Sequence, residues 1–342
     1  GEGVVFRNAF SACSWTLPSV ASIFSGYYPE THGIHYFNDV FPQDISTIAE
    51  VFSEAGYTTA AFISNPFLHP SQGFDQGFDD YFYLEGVDFL PANYFTYNLR
   101  VFQYIIEPVV RVFDLRDDVE NYYQPAERVA TEVLSYLAND PPQPLFLYIH
   151  LYDPHEPYFE HPYSGTRYSP ITASEDQLEK FKDAYIQEIE YTDKYIGVML
   201  DHLRKRSMYD NSLVLFTSDH GEEFLDHGGW SHGANLCDEL THVPLIIKRP
   251  METTPGASVD KIARTIDLLP TLAAFAGDEV SQNLSGINLF GELPQENFAF
   301  SEYIKPGEEL YSIRSDNFRY TDIVSSSRNQ PQKQLFDLRL DP

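Results

Sequence analysis

The sequence predicts an α/β fold: a mainly parallel central sheet sandwiched by helices, followed by a small antiparallel C-terminal subdomain. Three observations predict it. Short apolar runs alternate with longer segments of helical spacing, the pitch of repeated strand–helix units. The 342 residues are 43% hydrophobic, enough to bury a substantial core. Beyond about Asn297 the helical spacing gives way to short strand candidates.

Taken in order, Thr58 to Ile63 reads as a short buried strand after the turn at Gly56. Pro125 to Leu137 places Val129, Val133, Leu134 and Leu137 on one side of a helix that Pro141-Pro142 stops. Leu145 to His150 is the next strand. Asp176 to Arg206 reads as one long helix or two, with Phe181, Tyr185, Ile189, Tyr195, Ile196, Met199 and Leu203 along its apolar stripe. Ser212 to Thr217 and Val243 to Lys248 are strands, and Ile266 to Ala276 is a helix closed by Gly277. The later strand candidates are Phe298 to Tyr303, Tyr311 to Arg314 and Gln334 to Leu338. Between the first strand and helix, 74–118 is rich in Phe, Tyr and Asp without periodicity, as in an insertion or lid. These patterns divide the chain into a catalytic α/β domain over 1–296 and the start of a small subdomain over 297–342. In such sheets, active sites gather where strands end in loops.

Charge narrows the function. Lys and Arg total 22 against 51 Asp and Glu, a net charge of −29, which repels nucleic-acid phosphates and anionic membrane. An anionic substrate would therefore need a local positive island made by metal, histidine or backbone N–H groups. Eight lysines amid so much acid also fit a halophilic setting, where salt screens self-repulsion. No stretch approaches the roughly 18 apolar residues of a membrane helix, so no span is expected in this chain. The two cysteines, Cys13 and Cys237, form no disulfide framework and read as small buried residues. Localisation is left open.

Three segments carry chemistry. In Ser14 to Gly26, Pro18 suits the first helical position, which puts Thr16 or Leu17 at or beside the N-cap, where free N–H groups bind anions. Taken alone, Thr-x-Pro-Ser reads better as a plain helix cap. In Leu213 to Gly233, an apolar strand delivers Asp219 and His220 into a loop with His227 and His232, several carboxylates and glycines. Carboxylate oxygen and imidazole nitrogen are ligands for a divalent cation, and three histidines in fourteen residues do not read as a solvated face. The third segment, Tyr148 to Tyr158, is a strand running into a Pro-punctuated loop with His155, which can donate a proton or bind an oxyanion.

The order Thr16-Leu17-Pro18-Ser19 with Gly26 and Tyr28 to Gly33, Asp153-Pro154-His155, Thr217 to Glu222 with His227-Gly228 and Trp230 to Gly233, then Asp267 to Leu272, resembles the sulfatase family of the alkaline phosphatase superfamily. Leu335 to Leu338 with Asp341-Pro342 is similar to that family's C-terminal signature. The resemblance spans nearly the whole chain. It implies a metal-dependent hydrolase of sulfate or phosphate esters, acting on a small-molecule, glycan or lipid anion, with one or more divalent ions (Ca, Mg, Mn or Zn). By this resemblance Thr16 is the nucleophile, Asp219 and His220 hold the metal beside it, and His155 and His232 bind non-bridging oxygens, protonate the leaving group or ligate a second ion. His227 falls with His155 and His232 among the substrate-binding residues.

The departures from the family pattern shift the expected chemistry. Sulfatases proper form formylglycine from a Cys or Ser where this chain has Thr16, and threonine cannot be so converted; Cys13 lies three residues too early. Val20 replaces an Arg, His232 replaces a Lys, and no Gly-Lys-Trp-His segment follows Gly56. A threonine nucleophile resembles the superfamily's nucleotide pyrophosphatases, phosphonoacetate hydrolases and phosphoglycerol or phosphoethanolamine transferases, so phosphoryl transfer is favoured. The family also takes its first metal carboxylates from a strand well upstream, whereas the sequence begins fifteen residues before Thr16; the expectation is a fragment that binds metal weakly. Two alternatives stand beside hydrolysis: transfer of a phospho-headgroup to an alcohol, and a non-catalytic sulfatase-like binding protein.

Overall fold

A computed structural model describes residues 2–85, 124–162, 167–168, 177–251, 256–277, 284–292, 294, 297–325 and 332–340. The chain forms two compact units, Gly1–Thr59 with Pro70–Phe78 and Arg204–Pro342, and Ala60–His69 with Asp79–Leu203. The class is the expected α/β fold.

In the first unit a four-stranded sheet runs in the order Ser258–Arg264, Val4–Phe10, His242–Lys248, Val214–Thr217. Val4–Phe10 is parallel to Ser258–Arg264, and His242–Lys248 runs antiparallel to both of its neighbours. Alternation places Phe6, Phe10, Leu245 and Ile247 inside, each 2% exposed or less. Every residue of the helix Thr16–Ser25 is buried, and its serines are satisfied there by the Asp219 carbonyl, His32 and the Ala21 carbonyl. It packs on the helices Ile48–Glu54 and Leu268–Ala276. Ile48–Glu54 starts with a capping box: Thr47 Oγ1 accepts from the Glu50 N–H at 3.2 Å and Glu50 Oε2 from the Thr47 N–H at 2.8 Å.

The Asp267 to Leu272 motif is architectural. Asp267, fully buried, takes the Arg264 guanidinium at 2.7 Å and the Ile287 N–H at 2.9 Å, fixing a 3-10 turn at Thr265–Asp267 before the helix Leu268–Ala276. Gly277 then ends that helix in the left-handed conformation, φ 81°. Four antiparallel strands, Ala299–Lys305, Glu308–Arg314, Phe318–Ser325 and Gln332–Asp337, make the C-terminal sheet.

In the second unit Thr58–Ile63 lies between Asp80–Tyr83, to which it is parallel, and Leu145–His150. Ala126–Ala138 is a helix whose first N–H, from Ala126, is accepted by the buried Asp153 at 2.9 Å. Leu178–Lys205 is one helix of 28 residues rather than two. Of the aromatic stretch 74–118, residues 86–118 lie outside the described residues.

Candidate active site

The strand Val4–Phe10 leads through Ser11–Trp15 into the helix Thr16–Ser25. Trp15 is the extended N-cap and Thr16 the first helical residue, so Pro18 stands third in the helix and not first. The shift costs nothing, because no N–H of the first turn has an intrahelical acceptor and a proline is tolerated throughout it. The Thr16 hydroxyl is thereby fixed at the helix start, with the residue only 1% exposed.

Across from it, the strand Val214–Thr217 delivers Asp219 and His220. Thr16 Oγ1 lies 3.3 Å from His220 Nε2, and His220 Nδ1 lies 2.8 Å from the Gly221 carbonyl. A carbonyl only accepts, so Nδ1 carries the ring proton and Nε2 presents a lone pair. Burial holds the His220 pKa below its ordinary value against the opposing pull of Asp219, which keeps the ring neutral. Asp219 Oδ2 is 3.5 Å from the same Nε2. With its lone pair beside the Thr16 hydroxyl and the Asp219 carboxylate, Nε2 has two oxygens next to it that could share a cation with it. Carboxylate oxygen, imidazole nitrogen and hydroxyl oxygen are donors that could hold a divalent ion, the role the sequence resemblance gave Asp219, His220 and Thr16.

The next two carboxylates have roles that the sequence left unassigned. Glu222, its side chain 4% exposed, takes His232 Nδ1 at 3.0 Å, and the His232 ring lies 4.4 Å from that of His220. Glu223 is 1% exposed and accepts from the His227 N–H at 2.8 Å, the Gly229 N–H at 2.9 Å and Asn235 Nδ2 at 2.6 Å. Three donors on one carboxylate hold the loop in a fixed fold, closed by the short ribbon in which Glu223–Phe224 pairs with Trp230–Ser231. An acidic doublet after Asp219-His220-Gly221 was the only signal in the sequence.

Thr16, Asp219, His220 and His232 thus meet in the first unit. His227 does not share their hydrogen bonds; its Nδ1 is 3.2 Å from Glu239 Oε2. His155 belongs to the second unit, where its ring stacks on Tyr152 at 4.2 Å and its Nδ1 lies 2.7 Å from the Glu156 carbonyl. Cys13 is buried as expected, which pushes its thiol far up and leaves no thiolate nucleophile there, while Cys237 is half-buried.

The C-terminal sheet braces the approach to Thr16. Ser301 Oγ donates to the Ser11 carbonyl at 2.6 Å, and the Glu302 N–H donates to the Ala12 carbonyl at 2.9 Å.

A sulfatase family model matches residues 1–278, four-fifths of the chain. The chain belongs to the sulfatase family. As a member it is an ester-bond hydrolase, in a family whose members generally depend on a divalent metal. It is 26% identical to an arylsulfatase of Clostridium perfringens, covering 100% of this chain and 82% of the relative. A low-salt glycan biosynthesis sulfotransferase of Haloferax volcanii is 28% identical over 84% of this chain and 58% of its own length. Among solved structures, the phosphonate monoester hydrolase of Agrobacterium radiobacter superposes with a TM-score of 0.76 at 18% identity, covering 100% of this chain and 83% of the other. That last likeness is one of fold, and this sulfatase-family chain shares the architecture.

Proposed function

We propose that this sulfatase-family protein cleaves a sulfate or phosphate ester by nucleophilic attack of Thr16, with phosphoryl transfer favoured. One observation carries the reading: Thr16 Oγ1 at 3.3 Å from a His220 Nε2 whose lone pair is fixed by the Gly221 carbonyl, with Asp219 alongside. Asp219, His220 and Thr16 would hold a divalent cation, which when bound lowers the pKa of the threonine hydroxyl and neutralises charge on the ester. The O, N, O donor set admits Ca, Mg, Mn or Zn.

The chain's own residues supply the rest. The Thr16 proton leaves to solvent, and Oγ1 forms a bond to phosphorus or sulfur as the bond to the leaving alcohol breaks. His232, oriented through Nδ1 by Glu222, gives that alcohol its proton. The same ring then takes a proton from the water that attacks the esterified Thr16, and the Thr16–phosphorus or –sulfur bond breaks to restore the hydroxyl.

Sulfuryl or phosphoryl transfer to an alcohol is a second reading, favoured by the named glycan sulfotransferase among the relatives. Turnover of an aryl sulfate against an aryl phosphodiester, with a panel of divalent metals, tests the assignment. Cleavage of the phosphodiester that Thr16→Ala abolishes supports the reading; equal activity of the variant sinks it. Product partition between water and an added glycan alcohol separates hydrolysis from transfer.

A further inference from the structure

The loop beyond the active-site histidines holds a second cluster of metal-binding donors. We propose that His227, Cys237 and Glu239 form a site for a transition-metal ion of the zinc type, which clips together the loop that carries His220, Glu222 and His232. One donor atom from each of the three residues lies within 4.8 Å of the other two. His227 Nδ1 and Glu239 Oε2 are 3.2 Å apart, and that carboxylate oxygen is buried without a hydrogen-bond partner. Zinc bonds of about 2.0 to 2.3 Å put neighbouring ligands of a tetrahedral ion roughly 3.3 to 3.6 Å apart. The nitrogen–oxygen pair already has nearly that spacing, and the sulfur needs only a side-chain adjustment.

The backbone under the three ligands is fixed in advance. The Glu223 carboxylate accepts from the His227 N–H at 2.8 Å and from Asn235 at 2.6 Å, and Asn235 Oδ1 accepts from the Cys237 N–H at 2.8 Å. One buried acid therefore positions both limbs of the cluster. Next to Glu239, Asp238 is taken by Arg314 at 2.6 Å and Arg319 at 2.8 Å, which pins the short helix Asp238–Thr241 to the C-terminal sheet. His227 is 44% exposed at its side chain, so an ion can reach the cluster from solvent.

Donor chemistry selects the metal. A thiolate with imidazole and one carboxylate suits zinc and its neighbours and disfavours magnesium and calcium, whereas the Asp219, His220 and Thr16 set has no sulfur. Three protein ligands leave a fourth position for water. The clip would act where the two limbs touch: the Gly221 N–H donates to the Leu240 carbonyl at 2.9 Å, and a Cβ on Gly221 would lie 2.0 Å from the Glu239 carbonyl oxygen. Gly221 separates His220 from Glu222, so an ion that fixes residue 239 also fixes the two active-site residues.

Cobalt(II) titration of the full-length protein reads the site without reference to activity. The expected result is a thiolate-to-cobalt charge-transfer band, displaced by zinc, in the wild type, in Asp219→Asn and in Cys13→Ser, and absent from Cys237→Ser and His227→Ala. No band in the wild type, or a band that survives Cys237→Ser, overturns the proposal. The unmutated protein provides a second readout that does not depend on a variant folding. Zinc, but not magnesium, is expected to slow alkylation of Cys237 by iodoacetamide about tenfold or more, measured on the Cys237 peptide by mass spectrometry. Equal rates with and without zinc also overturn the proposal.

Discussion

Ser11 Oγ and Ser19 Oγ lie 2.8 Å apart, and both hydroxyls reach the main-chain carbonyl of Asp219, Ser19 at 2.6 Å. Both serines are fully buried, and they come from either side of Thr16 in the sequence. The segment around Thr16 therefore grips the backbone of the residue whose carboxylate faces His220. Ser19→Ala is expected to cost about 1–2 kcal/mol of stability for the lost buried bond. If Asp219 holds the metal as proposed, a fall in kcat of about 10- to 100-fold should accompany it, as for groups that orient a metal ligand. Denaturant unfolding and steady-state kinetics measure the two effects; a loss of stability with unchanged kcat would confine the serine to the fold.

If Thr16 Oγ1 is the attacking oxygen, as proposed, Thr16→Ala is expected to lower turnover by on the order of a thousandfold or more, while Thr16→Ser keeps a hydroxyl and a measurable rate. Far-UV circular dichroism should be unchanged for both. Turnover of Thr16→Ala within tenfold of the wild type would exclude the nucleophile assignment.

Glu222→Gln leaves His232 without its anionic partner. If His232 protonates the leaving alcohol, the variant should lose about 10- to 100-fold in kcat for esters of poorly activated alcohols and much less for nitrophenyl esters. An equal loss for both substrate types would contradict a proton-donor role.

His32 gives the protein an acid-sensitive core. It is 1% exposed; Nδ1 accepts from the Ile34 N–H at 3.2 Å, which leaves Nε2–H to donate to Ser22 Oγ at 3.0 Å. A second proton would face Nδ1–H against that N–H, and burial lowers the pKa from 6.5 to about 3. Between pH 6.5 and 3 the unfolded chain binds the proton and the folded one does not, so stability falls as pH falls. The expected loss from this residue by pH 5 is about 2 kcal/mol. Urea unfolding at pH 7 and pH 5 should show that extra loss in the wild type relative to His32→Gln.

Glu302 works in the opposite direction. Its Oε1 accepts from the Glu30 N–H at 2.8 Å, but burial raises its pKa from 4.5 to about 7. The folded state holds the extra proton between those values, so stability from this group is lost as pH rises to 7. Glu302→Gln keeps the acceptor without the charge and is expected to be more stable than the wild type by about 2–3 kcal/mol at pH 8.5, and by less than about 1 kcal/mol at pH 5. Thermal unfolding at the two pH values checks the difference.

Local chemistry made several elements legible. Thr58–Ile63 and Leu145–His150 match their expected bounds because turn residues or prolines flank apolar runs. Ser258–Arg264 and Phe318–Ser325 were not anticipated, since Asp260, Lys261, Arg264, Arg319 and Asp322 interrupt any apolar alternation, and only pairing with distant strands makes them sheet. Strand direction was hidden for the same reason: His242–Lys248 alternates in burial whichever way its neighbours run. At the site, Asp219, His220 and Thr16 stood out because their residue types are unusual together. Glu222 and Glu223 did not, because in a chain with 51 acidic residues only burial and the donors around them distinguish them from solvated ones.

The helix that begins at Thr16 has no exposed residue in ten, and this bears on redesign. A library randomised along 16–25 would discard most members as misfolded before any new specificity could be scored. Retargeting this scaffold toward another ester calls for diversity in surface loops, with the helix Thr16–Ser25 kept invariant as part of the chassis.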